Sequence, residues 1–379
     1  MGGFEGASHI NRADVRVDLM HLTQHDAQAA SDYRLARSVG METVRDGVRW
    51  PFVERRDGQF DFSSFLPMLR ASVDAQVQVI WTLCHYGLPD GLDIFSPAFP
   101  DRFARYCRAV ASIVAEHTDE VPFYTPINEI SFLAWAAGGA DGFIHPHAAG
   151  RGGELKEQLV RAAIAGMDAV WTVDPRARFV HVDPVIHVIP PRRRPDLALD
   201  AAAKRDSQFE AWDMLSGRRS PELGGSPKHL DVMGLNFYHS NEWEHDAGRL
   251  RWEDEPRDER WVPLHQLIGE VYERYQRPIC SGETSHFGTG RARWVREIGQ
   301  EVAAGLEAGV PLEGVCLYPL IDRPDWDDAN HWHNSGLFDV FRREDGTLAR
   351  VLNDEYAAGL RDARAAVDRA RDTMLAAGR

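Results

Sequence analysis

The stretch Tyr124–Glu129, with the sequence YTPINE, ends a short apolar run and sets the amide of Asn128 directly beside the carboxylate of Glu129. A carboxylate just beyond the end of a strand is where a parallel α/β barrel carries a catalytic acid. The alternative is an ordinary junction between a strand and a loop, with a solvated glutamate. The stretch alone leaves both interpretations open, so the choice depends on the rest of the chain.

Short apolar runs alternate with longer amphipathic stretches over the 379 residues. The predicted strands are Met1–Ile10, Thr43–Trp50, Val77–Leu83, Val121–Ile127, Arg178–Val182, Val232–Phe237, Pro278–Ser281 and Val315–Pro319. The predicted helices between them include Asp26–Val39, Ser63–Ala75, Pro100–His117, Leu155–Val173, Asp206–Leu215, Leu264–Tyr275 and Arg293–Ala308. Eight strands, each followed by helical material, predict an α/β fold with one single-domain (β/α)8 TIM barrel over residues 1–379.

Two further features of the pattern bear on this prediction. A C-terminal helix is predicted at about residues 353–377. No glycine-rich phosphate loop follows the first strand of the sequence, which disfavours a dinucleotide-binding fold.

The composition restricts the partners of the protein. Its formal net charge of −15 argues against nucleic acid or an anionic membrane as the partner, because both require a basic face. The sequence has no apolar run of roughly 18 residues and no signal-peptide core at its start, so we expect no membrane span. The four cysteines include no CxxC pair, which predicts buried free thiols in a reducing cytoplasm. The C-terminal helix could cover a neighbouring subunit, which leaves a homo-oligomer open.

Polar side chains cluster where the predicted strands end, and in a barrel all these ends face one pocket. Two of them are carboxylates from opposite walls, Glu129 after the fourth strand and Glu283 after the seventh. Such a pair suits glycoside hydrolysis, in which one acid protonates the leaving oxygen and the other attacks or positions water. Arg45 and Tyr238 could hold Glu283 ionised, since a nearby cation and a hydrogen bond both favour the charged form.

Several short motifs occur in a fixed order between the first strand and about Asp339. They are Gly3-Phe4-Glu5-Gly6-Ala7, Arg45 followed by Trp50, His85-Tyr86-Gly87-Leu88-Pro89, Asn128-Glu129, Asp231 to Tyr238, Gly282-Glu283-Thr284, Asp322 to Trp326, and Ser335 to Asp339. In this order they resemble QIEGA, RFSISW, HWDLP, TLNEP, DFLGLNYY, TENG, DNFEW and FGLVYVD of the family 1 glycoside hydrolases. These enzymes are retaining β-glycosidases of clan A on the eight-stranded barrel, and the chain resembles a divergent member.

The resemblance implies a role for each matched residue. Glu129 would be the acid/base and Glu283 the nucleophile, about 5–5.5 Å apart as retaining chemistry requires. Asn128 would bond the 2-hydroxyl of the sugar, while Arg45 and Tyr238 would orient Glu283. The residues expected to contact the substrate, a small carbohydrate, are His85, Trp326, Asp325, Asn236 and Tyr318. No cofactor and no metal are implied.

Several positions that read the sugar depart from the family pattern. Gly3 stands in place of its glutamine, Tyr318 in place of the tryptophan of the sugar-site floor, and Asp325 in place of a glutamate. Ile130 replaces the proline after the acid/base, and Arg323 replaces an asparagine. The reacting residues are kept while the sugar contacts change, which puts a plain glucoside substrate in doubt. A phosphorylated sugar is not expected, whereas Arg323 leaves an anionic sugar open.

Three other functions stay open. A transglycosidase, or a specialised pathway glycosidase, would use the same carboxylates with a changed sugar site. A non-catalytic sugar-binding barrel would keep the fold without turnover. A metal-dependent hydrolase would need three or more converging ligands, and no HExxH motif supports one. The histidine-containing pairs that suggest a metal are His145 with His147, His331 with His333, and His181 with Asp183.

Overall fold

The computed structural model describes residues 1–376 and shows eight parallel strands closed into a barrel. The barrel strands are β1 (Gly2–Gly3), β2 (Thr43–Gly47), β3 (Gln78–Cys84), β4 (Phe123–Ile127), β5 (Arg178–Pro184), β6 (Val232–Asn236), β7 (Ile279–Thr284) and β8 (Leu312–Leu317). Each strand pairs in parallel with the next, and Gly2 closes the ring by pairing with both Val44 and Leu317. The predicted single-domain (β/α)8 TIM barrel is confirmed.

Helices form the outer layer around the strands. The α-helices are α1 (Leu19–Leu22), α2 (His25–Ser38), α3 (Trp50–Val53), α4 (Leu66–Asp74), α5 (Phe99–His117), α6 (Ile130–Gly138), α7 (Gly152–Trp171), α8 (Ala198–Asp206), α9 (Glu210–Leu215), α10 (Leu264–Tyr275), α11 (Arg291–Glu307) and α12 (Asp354–Ala376). Short 3-10 segments are Pro195–Leu197, Ser207–Phe209, Pro221–Leu223, Pro227–His229 and Gly288–Gly290.

Amphipathic spacing explains why the outer stretches become helices. In α5, Phe103, Tyr106, Val110 and Val114 recur every three to four residues, and all four are buried. This spacing places them on one face of the helix, which packs toward the barrel. Pro100 stands in the first turn of α5, where its missing N–H costs no hydrogen bond.

The first strand is much shorter than the predicted Met1–Ile10. β1 spans only Gly2–Gly3, because the Glu5 carboxylate accepts the Ala7 N–H at 3.1 Å and turns the chain away from the sheet. The following segment crosses the top of the barrel, where the Ser8 N–H donates to the His85 carbonyl at 3.2 Å. The turn therefore brings the Glu5 carboxylate to the carboxyl ends of the strands.

Several other predicted bounds were also wrong. β2 ends at Gly47, before the predicted Trp50, and β7 continues to Thr284, so Glu283 belongs to the strand. β8 begins at Leu312 and ends before Tyr318-Pro319, since proline has no N–H to donate to a neighbouring strand. The predicted helix Asp206–Leu215 is divided, because α8 ends at Asp206 and a 3-10 turn precedes α9. The remaining predicted helices lie within three residues of the observed bounds.

Three short two-stranded sheets lie outside the barrel. Phe338–Arg342 pairs antiparallel with Leu348–Leu352, and Glu54–Arg56 pairs antiparallel with Gln59–Phe60. His187–Ile189, after β5, pairs in parallel with Glu242–Glu244, after β6. This last pair ties two loops together at the carboxyl ends of the strands.

Apolar side chains form two separate clusters. The larger cluster lies between the strands and the helices and includes Phe179, Met233 and Ile279. The smaller cluster is made of Ile80, Val180, Val182, Val232 and Cys280. Its members alternate along their strands with members of the larger cluster, so they face the interior of the barrel.

The C-terminal helix and the cysteines follow the sequence predictions. The helix expected at about 353–377 is α12, observed from Asp354 to Ala376, and residue 377 lies outside the described residues. It packs along α11, where Arg296 pairs with Asp362 at 2.7 Å. The four cysteines are buried free thiols. In the part of the chain from 1 to 376, no helix has the length and apolar character needed to cross a membrane.

Candidate active site

A cavity of about 1200 Å³ opens at the carboxyl ends of the barrel strands. Both predicted carboxylates, Glu129 and Glu283, line it. The other predicted site residues that line it are His85, Tyr238, Tyr318 and Trp326. Arg45, Asn128 and Asn236 are fully or almost fully buried beneath this layer and bind its side chains. The structure thus brings nine of the ten predicted residues together around one cavity.

Glu283 is presented by an irregularity in β7. The strand pairing with β6 shifts register between Ser281 and Glu283, which is the signature of a bulge that re-aims a side chain. Gly282 is required at the bulge, because a β-carbon there would lie 2.6 Å from Asn236 Oδ1 and 2.8 Å from Val182 Cγ1. The bulge leaves the Glu283 carboxylate on the wall of the cavity.

Both oxygens of Glu283 are held by donors. Arg45 Nη1 donates to Oε1 at 2.9 Å, and the Tyr238 hydroxyl donates to Oε2 at 2.7 Å. The Arg45–Glu283 ion pair is buried, with the guanidinium 1% exposed and the carboxylate 6% exposed. A cation and a hydrogen-bond donor stabilise negative charge on a carboxylate. The predicted orienting contacts of Arg45 and Tyr238 are therefore present in the structure.

Glu129 is placed at the start of α6, directly after β4. Asn236 Nδ2 donates to its Oε1 at 2.8 Å, and the Tyr86 hydroxyl is hydrogen bonded to its Oε2. Burial, and then the charge of Glu283, raise the pKa of Glu129 to about 8. Glu129 therefore carries a proton at neutral pH, although it shares a cavity with a carboxylate that is held by a cation.

A continuous hydrogen-bond network joins the two carboxylates. Arg45 Nη2 donates to Asn128 Oδ1 at 2.6 Å, while Nη1 of the same side chain binds Glu283. Asn128 Nδ2 donates to the Tyr86 hydroxyl at 3.0 Å, and Tyr86 in turn binds Glu129. Asn128 Nδ2 also lies 3.1 Å from His85 Nε2. The contact of Asn128 with a sugar hydroxyl stays a prediction, since its amide is engaged with protein groups here.

Tyr318 packs directly over Gly3 at the cavity wall. Its ring lies over Gly3 so closely that a β-carbon on Gly3 would sit 2.0 Å from Tyr318 Cδ2. The Tyr318 hydroxyl donates to Glu5 Oε1 at 3.3 Å and lies 3.4 Å from His85 Nδ1. The glycine and the tyrosine that depart from the family pattern are therefore in direct contact with each other.

Next to Tyr318, the cavity is lined by the ionisable side chains of Arg323, Glu5 and His85. Arg323 Nε lies 3.2 Å from Glu5 Oε2. Burial raises the pKa of Glu5, and the charge of Arg323 acts against that rise. Burial, with the positive charge of Arg45, holds the pKa of His85 well below its usual range, so the imidazole is neutral. A neutral histidine can donate or accept one hydrogen bond to a bound hydroxyl.

Aromatic rings also line the cavity. Trp326 packs against His9, Tyr86 and Phe132, with ring centroids 4.6, 5.6 and 6.1 Å apart. Trp135 lies farther out on the cavity wall and is 52% exposed. Flat apolar faces of this kind suit the packing of sugar rings or of an aromatic leaving group.

Asp325 is the predicted site residue that the structure does not bring to the cavity wall. Its carboxylate accepts the Asp327 N–H at 2.8 Å and lies 3.1 Å from His333 Nε2, within its own loop. Its predicted contact with a sugar stays a prediction, and its carboxylate is engaged within the loop. Within residues 1–376, the paired histidines named from the sequence also form no group of three converging ligands.

Sequence reasoning missed two residues of the site. Tyr86 binds Glu129 directly, and its position beside His85 in the HYGLP motif was the available signal. Glu5 is the second. It was missed because the first strand was predicted to run to Ile10, whereas the chain turns at Glu5. Asn236 donates to the Glu129 carboxylate, and its contact with a sugar stays a prediction.

Comparison with solved structures finds the same barrel in known enzymes. The AHE enzyme from Alicyclobacillus herbarius has a TM-score of 0.72 at 17% identity, over 91% of this chain and 88% of that chain. The family 1 β-glucosidase from Thermotoga maritima has a TM-score of 0.72 at 14% identity, over 91% of this chain and 87% of that chain. The Thermotoga maritima β-glucosidase in complex with glucoimidazole has a TM-score of 0.71 at 14% identity, over 90% of this chain and 88% of that chain.

Sequence comparison adds no relative to these structures. No protein-family model matches the chain, and no curated protein matches it significantly. Identities of 14–17% show a common fold and nothing finer. The chain thus has a distant β-glucosidase-like (β/α)8 barrel, with two carboxylates at the end of the barrel where such folds carry their active sites.

Proposed function

We propose that the protein is a retaining β-glycosidase that releases a terminal sugar from a small β-glycoside. The observation that carries the proposal is the network Glu283–Arg45–Asn128–Tyr86–Glu129, which holds two carboxylates over one cavity in unlike surroundings. One carboxylate is bound by a guanidinium and a phenol. The other is buried, and its pKa is raised to about 8. Such a difference between two acids is what separates a nucleophile from a proton donor.

In the first half of the reaction, Glu283 attacks the anomeric carbon as the bond to the leaving oxygen breaks. A covalent glycosyl–enzyme ester forms, and Glu129 gives its proton to the leaving oxygen. In the second half, the ionised Glu129 removes a proton from water, the water oxygen attacks the anomeric carbon, and the ester bond to Glu283 breaks. Two displacements at the same carbon return the sugar with its original β configuration.

The changed sugar site supports a substrate other than a plain glucoside. Tyr318 fills the space above Gly3, and Glu5 is paired with Arg323 beside it. The groups offered to the hydroxyls farthest from the reacting carbon therefore differ from those of the family pattern. The same site is suited to a small carbohydrate in the cytoplasm, where the four buried thiols would stay reduced.

A transglycosidase is the second candidate, and one observation favours it. Trp135 and Phe132 lie on the cavity wall beyond Trp326, with ring centroids 5.6 Å apart. Their apolar surface could bind an acceptor that competes with water for the glycosyl–enzyme. Transfer and hydrolysis share the first half of the reaction, so one product analysis separates them.

A panel of aryl β-glycosides tests the proposal, with gluco, galacto, manno, fuco, xylo and glucurono sugars. We expect turnover of at least one member, with the β anomer formed first in the NMR spectrum. Glu283→Gln should abolish this turnover, because the amide cannot form the ester. Glu313→Gln, at an exposed glutamate on β8, is the matched control and should keep it.

Other outcomes distinguish the alternatives. An α anomer as the first product would contradict the retaining mechanism. Full turnover by Glu283→Gln would reject Glu283 as nucleophile. Tight sugar binding without turnover over many hours would indicate a non-catalytic sugar-binding barrel, and a glycosylated acceptor would indicate a transglycosidase.

A further inference from the structure

A second cluster of polar side chains lies apart from the two carboxylates, and one of its members, His239, lines the cavity. It joins three segments: His239 follows β6, His286 follows β7, and Glu253 belongs to the loop between β6 and α10. One nitrogen of each imidazole and one carboxylate oxygen all lie within 4.8 Å of one another. No contact of this cluster is used by the proposed glycosidase reaction.

Hydrogen bonding and ring stacking satisfy only some of the polar atoms of this cluster. His286 Nε2 lies 3.2 Å from Glu253 Oε1, and the two imidazole centroids are 4.3 Å apart. His239 is 7% exposed, however, and within residues 1–376 its buried Nδ1 has no hydrogen-bond partner. An unpaired buried nitrogen is unfavourable unless something else binds it.

We propose that His239, His286 and Glu253 form a binding site for a divalent transition metal of the zinc class. Two imidazole nitrogens and one carboxylate oxygen are a ligand set that zinc accepts. In a tetrahedral zinc site the ligand atoms lie roughly 3.3 Å apart, given bonds of about 2.0–2.1 Å. The His286–Glu253 edge, at 3.2 Å, already has that length.

The backbone of Phe287 fixes the ring of His286. The Phe287 N–H donates to His286 Nδ1 at 2.8 Å, and the same nitrogen lies 3.0 Å from the Phe287 carbonyl oxygen. With Nδ1 as acceptor, Nε2 carries the ring proton toward Glu253, and a metal that binds Nε2 would displace this proton.

The exposed Glu253 is held in place by its neighbour. Trp252 is 1% exposed, and its Nε1 donates to Glu297 Oε2 of α11 at 3.0 Å. Arg257 binds both oxygens of the same Glu297, at 2.7 and 2.9 Å. The loop that carries Glu253 is therefore fastened on both sides of that residue.

A metal here would keep an open coordination position. Three protein ligands leave the fourth position of a tetrahedral site for water or a bound group. His239 lines the cavity directly after Tyr238, the residue that holds Glu283. The site would thus fix the loops after β6 and β7 together at the side of the cavity. The proposal is independent of glycosidase activity, because no step of that reaction passes through the metal.

Metal titration of the full chain, with any affinity tag removed and after dialysis against chelator, tests the site. We expect one equivalent of Co²⁺ to give visible d–d absorption, and one equivalent of Zn²⁺ to displace it. Glu253→Gln and His286→Gln should each weaken Zn²⁺ binding by about tenfold or more in calorimetry. His245→Gln is the matched control, because His245 lines the same cavity outside the cluster and its loss should leave the affinity unchanged.

Arg249 supplies a test in the opposite direction. Arg249 lines the same cavity as His239, and its positive charge would repel a metal cation bound there. Arg249→Gln should therefore bind Zn²⁺ more tightly than the unaltered protein. No stoichiometric metal binding, an unchanged affinity in Glu253→Gln, or an equal loss in His245→Gln would each overturn the proposal. Glu253→Gln alters an exposed side chain, so it remains informative if His286→Gln fails to fold.

Discussion

Tyr86 and Glu129 are hydrogen bonded to each other, and both have left-handed backbone conformations, with φ of 64° and 47°. Such conformations cost non-glycine residues of order 1–3 kcal/mol each and persist only where the surroundings impose them. Here the Glu129 N–H donates to the Val182 carbonyl at 3.1 Å, and its carbonyl accepts from the Leu133 N–H at 2.8 Å. The acid is therefore aimed by its backbone as well as by its side-chain contacts.

Replacing Glu129 by glutamine should remove the proton donor while keeping the shape of the site. We expect kcat/KM to fall by about 10²–10⁴-fold for glycosides with poor leaving groups. The loss should be smallest for aryl glycosides whose leaving group needs no proton. An equal loss for both kinds of substrate, measured in steady state, would contradict the role of Glu129 as general acid.

The same substitution should change the pH dependence of stability. Folding raises the pKa of Glu129 from 4.5 to about 8, so the folded protein keeps a proton that the unfolded chain loses. Its stability therefore falls as pH rises from about 4.5 to about 8. Glutamine does not titrate, so Glu129→Gln should gain in Tm over the parent protein as pH rises through this window. A constant Tm difference from about pH 5 to about pH 8 would contradict the raised pKa.

The activity of the parent protein should decline as pH rises through about 8, because the acid then loses its proton. The hydrogen bond from Tyr86 lowers the pKa of Glu129, so Tyr86→Phe should move this alkaline limb to higher pH. Tyr356→Phe is the matched control, since it removes a buried hydroxyl that has no hydrogen-bond partner. If the alkaline limb of Tyr86→Phe stays where it is in the parent protein, Tyr86 does not lower the pKa of Glu129.

Arg45→Met should destabilise the fold strongly, because it leaves the Glu283 carboxylate buried without its cation. Breaking one partner of a buried pair typically costs about 3–5 kcal/mol of unfolding free energy. Arg296→Met, which breaks the exposed pair with Asp362, should cost about 1 kcal/mol or less. The double variant Arg45→Met/Glu283→Gln should recover part of the loss in urea denaturation. Similar costs for Arg45 and Arg296 would contradict this account.

Gly3→Ala should test the packing of Tyr318. A methyl group at Gly3 meets the Tyr318 ring, and overpacking of this kind typically costs about 1–3 kcal/mol. Adding Tyr318→Ala removes the obstacle, so the effects of the two substitutions should not add. Strict additivity of the two effects on unfolding free energy would show that the ring does not limit residue 3.

The parts of the site that the sequence predicted are those fixed by strand ends. Glu129, Glu283, Arg45 and Tyr238 each follow or belong to an apolar run, and parallel strands bring such ends together. The positions of these strand ends in the sequence were enough to predict that the four side chains lie close together. Asp325 was misplaced because it lies in a loop, where local turns decide which way the carboxylate faces.

The cluster of His239, Glu253 and His286 was beyond sequence reasoning for a related reason. Glu253 lies in a loop whose path is set by Trp252 and Arg257 binding to Glu297 on a distant helix. No periodicity within residues 243–259 encodes that contact. The histidines tested from the sequence were neighbours along the chain, whereas these ligands come from three separate segments.

The bulge at Gly282 makes the position of Glu283 a matter of residue number as much as of residue type. Cys280 faces the interior of the barrel, so regular alternation along the strand would turn residue 283 outward. The register shift at Gly282 reverses this alternation and returns the Glu283 carboxylate to the cavity. One further residue between Cys280 and Glu283 would turn the carboxylate outward again.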